Sequence, residues 1–152
     1  VDGRDSDHLS GVQVTTLAIL PGSLGSVMHI MSEIAPGFHG FGEAYFSTVE
    51  HQAVKGWKLH REMVCNLVVP VGAVRFVLFD DRSGSDTRGR FEEVFLSPHD
   101  YRRLTIPPSV WFAFEGRSTA TNLILNVASV RHSPSEVVSL PLINDVVPHF
   151  EF

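Results

Sequence analysis

The sequence predicts an all-β domain of the sandwich or jelly-roll kind, with one short helix near its N-terminus. Three observations predict it. From Phe41 onward, short runs rich in Val, Ile, Phe and Thr recur, separated by clusters of Gly, Pro, Asp and Ser. Only one stretch, residues 23–34, sets its apolar residues at helical spacing. The 152 residues show no repeat period and no low-complexity linker, so they read as a single domain, 1–152. Many short strands with tight turns inside one domain imply two packed antiparallel layers.

In chain order, residues 1–10 are polar and expected to fray. Residues 12–20 (VQVTTLAIL) are β-branched and read as a strand ended by Pro21-Gly22. In residues 23–34, Val27, Ile30, Met31 and Ile34 fall on one helical face, and Pro36-Gly37 closes the segment. Strands are expected near 41–49, 53–60, 64–71, 73–80, 91–96, 102–106, 110–115 and 121–130. Residues 80–86 combine charge with turn formers and read as a loop. Ser97-Pro98-His99-Asp100 suits one helical turn, with Ser97 as cap and Pro98 in the first position. Pro107-Pro108 makes a rigid corner.

Composition narrows the function. Hydrophobic residues make up 43% and charged residues 19%, an ordinary globular balance. No apolar run approaches the roughly 18 residues that span a bilayer, so no membrane partner is expected. A net charge of -5 excludes a broad nucleic-acid footprint, while leaving room for a local basic pocket that holds one diphosphate. Cys65 is the sole cysteine, which rules out an intramolecular disulfide framework and suggests a cytoplasmic location.

The most informative stretch is Val54-Lys55-Gly56-Trp57-Lys58-Leu59-His60-Arg61. On a strand, Lys58 and His60 share one face, and Trp57 and Leu59 share the other. Two arrangements satisfy that alternation. Either Trp57 and Leu59 fill the core while Lys58 and His60 meet solvent, or Lys58 and His60 look into a cavity while the helix or a second subunit covers Trp57 and Leu59.

Lys55-Gly56-Trp57-Lys58-Leu59-His60 resembles the Arg-Gly-x-His-x-His segment of the sugar-nucleotide 3,4-ketoisomerases and the Arg-Gly-x-His segment of the dTDP-4-dehydrorhamnose 3,5-epimerases. Four more segments resemble these families in the same order: residues 41–46, the hairpin 69–78, Leu104-Thr105-Ile106-Pro107-Pro108, and residues 122–134. The resemblance covers about 41–134. It implies a cupin-type double-stranded β-barrel, a homodimer, and a nucleoside-diphospho-4-keto sugar as ligand, in polysaccharide or deoxysugar biosynthesis. The chemistry it implies is cofactor-free proton abstraction next to the ketone, followed by reprotonation.

The departures are as specific as the matches. The first His of the ketoisomerase pair, which is also the epimerase base, becomes Lys58, while the second is kept as His60. The epimerase lysine of the next strand falls on Cys65, and its acid tyrosine falls on Asn126. Tyr45 stands where the ketoisomerases carry an active-site tyrosine. The chemistry needs a base near neutrality and a group that stabilises an enolate. Imidazole meets the first need, so His60 is the expected base. Lys58 supplies positive charge to the enolate oxygen, and Tyr45 returns a proton from the opposite face. Lys55 and Arg61 are expected diphosphate contacts. Cys65, Phe112 and Asn126 are expected to complete the cavity lining.

Metal-binding cupins present His-x-His, a carboxylate on the same hairpin and a later His. Here those positions hold Lys58, Val64 or Cys65, and Phe112, so no catalytic metal is expected. No Gly-x-Ser-x-Gly, phosphate-loop or dinucleotide fingerprint occurs. Phe76, Phe79, Phe95, Phe112 and Phe114 are expected to pack in the core or on the sheets. Two rival readings stand beside the enzyme. A catalytically silent sugar-nucleotide or carbohydrate-binding cupin fits the substituted base and acid. A metal-dependent cupin is disfavoured by Lys58 and Phe112.

Overall fold

The computed structural model describes residues 7–152. Their strands are β1 (Gln13–Thr16), β2 (Ile19–Leu20), β3 (Val27–Met28), β4 (Glu43–Thr48), β5 (Val54–His60), β6 (Cys65–Val71), β7 (Val74–Phe79), β8 (Phe91–Leu96), β9 (Arg102–Ile106), β10 (Trp111–Gly116), β11 (Leu123–Ala128) and β12 (Val137–Ser139). Two five-stranded antiparallel sheets form, ordered β1-β9-β6-β11-β4 and β12-β5-β10-β7-β8, and β2 and β3 make a separate hairpin. All eight strands expected from Phe41 onward are present.

Period-2 alternation explains how the layers meet. Cys65, Leu67, Leu104, Ile106 and Ile124 of the first sheet pack against Val74, Phe76, Leu78, Phe112 and Phe114 of the second. The intervening residues of the second sheet, Trp57, Val77, Phe79, Trp111 and Ala113, form another apolar cluster on its outer face. That is why β10 is buried along its whole length.

Each outer face is covered by a terminal segment. Leu140, Val147, Phe150 and Phe152 lie over Trp57, which is 1% exposed, and the Leu140 N–H donates to the Trp57 carbonyl at 2.9 Å. The cover over Trp57 is therefore this chain's own C-terminal tail, not the helix or second subunit considered from the sequence. On the first sheet, Arg103 is 1% exposed and donates to the carbonyls of Ile30 (2.8 Å) and Pro36. Asn66 donates to the Gly37 carbonyl at 3.0 Å, which pins the same segment.

The short N-terminal helix does not form. Residues 22–25 turn instead, with the Gly25 N–H bonded to the Gly22 carbonyl and Gly25 at φ 145, so Val27 and Met28 pair with Leu20 and Ile19. Two glycines and two serines in residues 22–26 weaken a helix nucleus, and the apolar stripe finds no surface: Ile34 stays 90% exposed. The 12–20 strand divides at Leu17–Ala18, where the chain leaves β9 for the hairpin. Residues 97–100 form a turn closed by a Ser97–Asp100 bridge rather than a helical turn. Phe95 is half exposed and lies outside the core.

Candidate active site

β5 positions most of the cationic side chains. Along β10, Phe112 pairs with Lys58 but Phe114 pairs with Lys55, so Ala113 alone opposes both Gly56 and Trp57. This β-bulge changes the phase of the strand. Strict alternation would put Lys55 on the outer face with Trp57; the extra residue turns it to the inner face with Lys58 and His60. All three then line a cavity of about 230 Å³ between the sheets. Tyr45 on β4, Asn126 on β11 and Phe112 on β10 line it too. Of the two arrangements open from the sequence, the one with Lys58 and His60 facing inward is present.

His60 is 6% exposed and held from three sides. Its Nδ1 lies 2.7 Å from Oε2 of Glu136, its ring stacks on Phe112 at 21° with centroids 6.0 Å apart, and its carbonyl accepts from the Ser109 N–H at 2.7 Å after the Pro107-Pro108 corner. The other Glu136 oxygen accepts from the backbone N–H groups of Met63 (2.9 Å) and Glu62 (3.2 Å). Burial pushes the Glu136 carboxyl up, but the His60 bond and the two amides outweigh it and hold the group below its ordinary value. An ionised carboxylate only accepts, so Nδ1 carries the proton and Nε2 is the basic nitrogen left for the cavity.

Glu136 is the residue that the sequence reading missed. A carboxylate was sought on the hairpin after His60, whereas Glu136 lies just before β12, whose Val137 pairs with His60. No local motif links positions 76 residues apart. Ser47, His132 and Ser139 also line the cavity without having been expected there.

Two residues expected at the site, Arg61 as a diphosphate contact and Cys65 as part of the lining, lie outside this cavity. Arg61 follows the last residue of β5 and lines a smaller cleft with Arg131, Ser133 and Ser135, outside the main cavity. Cys65 is 1% exposed in the core beneath the wall, and burial pushes its thiol up to about 12, so it is a protonated packing group. Lys58 and Lys55 remain exposed to the cavity mouth, and Nζ of Lys55 lies 6.0 Å from the Phe114 ring centroid. No Asp or Glu lines this cavity among the described residues, so its cationic side chains suit an anionic ligand. Nor do three His, Cys, Asp or Glu side chains converge anywhere among them into a metal-ligand set.

Comparison with solved structures decides the family. A dTDP-sugar isomerase of Desulfovibrio desulfuricans is 36% identical, with 93% of this chain and 91% of that chain covered, at a TM-score of 0.89. The chain belongs to the dTDP-sugar isomerase family. Its barrel is thus the cupin type expected from the sequence. A 3′-monoepimerase of Streptomyces bikiniensis, solved with dTDP-quinovose, shares the family fold at a TM-score of 0.78 and 18% identity, covering 87% of this chain and 70% of that one. A dTDP-4-dehydrorhamnose 3,5-epimerase of Bacillus anthracis does so at 0.80 and 14%, covering 93% and 87%. A probable low-salt glycan biosynthesis epimerase of Haloferax volcanii is 26% identical over 84 residues, 55% of this chain and 54% of that protein. The match spans about half the length of this curated relative. No family model matches the chain.

Proposed function

We propose that this protein is a cofactor-free epimerase or isomerase of a nucleoside-diphospho-4-keto sugar, acting by proton abstraction next to the ketone. The His60–Glu136 pair carries the reading, because it presents a fixed, basic Nε2 to a cavity that also holds an ammonium and a phenol. A merely binding cupin has no need of a buried carboxylate that fixes the imidazole tautomer. His60 Nε2 takes the proton, Lys58 stands by the enolate oxygen, and Tyr45 supplies a proton from the facing sheet. The cavity is smaller than the roughly 300–1,000 Å³ of drug-sized pockets, which suits one sugar ring inside and the nucleotide at the mouth. Lys55 is placed to meet the diphosphate there.

The test is solvent isotope exchange. In deuterium oxide the protein is expected to wash deuterium into a dTDP-4-keto-6-deoxy sugar at a carbon beside the ketone, and to form an isomeric product. Tight binding with no exchange would leave a silent sugar-nucleotide binder. Dialysis against a chelator is expected to leave the rate unchanged, and a loss restored by a divalent metal would overturn the metal-free part of the proposal.

The reading extends to a cytoplasmic homodimer. No described helix is long and apolar enough to cross a membrane. The β2–β3 hairpin leaves Leu20 and Val27 more than half exposed, and a two-stranded hairpin standing alone is marginal in water. Phe46, 64% exposed, lies on the edge strand β4. These exposed groups, in place of the Trp57 face, support the dimer, and sedimentation at micromolar concentration measures it.

A further inference from the structure

Asn126 was expected to touch the ligand, yet its polar atoms are engaged elsewhere. It is 3% exposed. Its Oδ1 accepts the Asn66 backbone N–H at 3.0 Å. That partner can only donate, so the amide cannot be turned round without setting two donors against each other. Nδ2 must therefore face the other way, where it donates to the Tyr45 hydroxyl at 2.9 Å and lies 3.8 Å from the Met63 sulfur.

This fixes a direction. Tyr45 Oη receives a hydrogen from Asn126, so its own hydrogen must point elsewhere. Tyr45 makes no other side-chain hydrogen bond among the described residues, and it lines the cavity. We infer that Asn126 is a positioning residue that sets the polarity of the Tyr45 hydroxyl, aiming the phenol proton into the cavity and holding the phenolate left after transfer. The inference rests on the proposed function and names how its acid is armed. The step balances. The substrate C–H bond breaks to His60 Nε2, and its electron pair moves to the ketone oxygen as an enolate. A new C–H bond then forms with the Tyr45 proton, leaving tyrosinate and histidinium, which re-equilibrate through solvent. Burial already raises the Tyr45 phenol above its ordinary value, with the Asn126 bond opposing, so the acid enters the step protonated.

Asn126→Asp tests this with little change of shape. A carboxylate still accepts from Asn66 but cannot donate to Tyr45; the phenol would donate to it, and its proton would leave the cavity. The expected result is a fall in kcat of at least about 10-fold with KM nearly unchanged, while deuterium exchange at the carbon facing His60 continues. Tyr45→Phe is expected to behave alike, and the double variant to be no worse than either single. In a spectrophotometric titration, with Tyr45→Phe as the blank, Tyr45 is expected to ionise at higher pH in Asn126→Asp than in wild type. Should the aspartate variant not fold, Asn126→Ala removes the donor without adding charge and carries the same kinetic expectations. Unchanged kcat with an unmoved titration would overturn the inference, as would a raised KM alone, which would make Asn126 a substrate contact. If wild type neither exchanges nor converts any 4-keto sugar nucleotide, the functional reading fails, while the titration still decides the Tyr45–Asn126 polarity.

Discussion

His60→Asn is expected to lower turnover of a 4-keto sugar nucleotide by about 10²–10⁴-fold, the range that a positioned general base contributes. Asparagine keeps a donor for Glu136 but has no basic nitrogen, so the loss should fall on kcat and on deuterium exchange together, with sugar-nucleotide binding retained. This separates His60 from Tyr45, whose removal spares exchange. Glu136→Gln should lower kcat by a similar factor, because the amide oxygen stays on the Met63 and Glu62 N–H groups and its NH2 faces Nδ1, which moves the imidazole proton to Nε2 and removes the base. Steady-state kinetics with a coupled exchange measurement checks both. Full activity in His60→Asn would move the base to another residue and remove the main support for the proposed chemistry.

Asp80→Ala is expected to destabilise the fold by about 3–5 kcal/mol, the usual result of removing one partner from a hydrogen-bonded ion pair whose carboxylate is buried. Asp80 is 0% exposed. Its carboxylate accepts from the Arg82 guanidinium (2.9 and 2.8 Å), the Arg82 N–H (3.0 Å), Ser85 Oγ (2.6 Å) and Thr87 Oγ1 (2.6 Å). The loop in turn holds the N-terminal segment: Thr87 Oγ1 accepts the Ser10 N–H, and Arg82 donates to the Ser10 carbonyl. Burial pushes the Asp80 carboxyl up, but these bonds outweigh it and hold the group well below its ordinary value of 3.8. Its stabilisation is therefore complete above about pH 4 and is lost as pH falls from there through the folded value. Thermal melts are expected to drop by about 6–20 °C at pH 7 in Asp80→Ala. The gap to wild type should narrow below pH 4. A gap that persists undiminished in acid would show that Asp80 acts by packing rather than charge.

The strands were legible because alternation and turn residues act locally: Val74, Phe76 and Leu78 announce one buried face, and Gly72 at φ 85 the turn before them. The helix was misread for the converse reason. Val27, Ile30 and Ile34 keep helical spacing, yet spacing has no force without a surface to bury it, and Gly22 and Gly25 turn more readily than they coil. Lys58 and His60 were legible as a pair on one face. Lys55, expected as a diphosphate contact from its charge, was not legible on that face, since only the bulge brings it there. Arg61 follows the strand's end, where alternation no longer holds. Glu136 and the tail over Trp57 arise from distant pairing that no local pattern encodes.

The proposed donor and acceptor of protons stand on different layers, Tyr45 on β4 and His60 on β5. The gap the substrate must bridge is thus set by the thickness of the apolar filling, not by any loop. Repacking Leu67 or Phe76 would reset that ruler, so reaction rate should respond to changes that touch no reacting group.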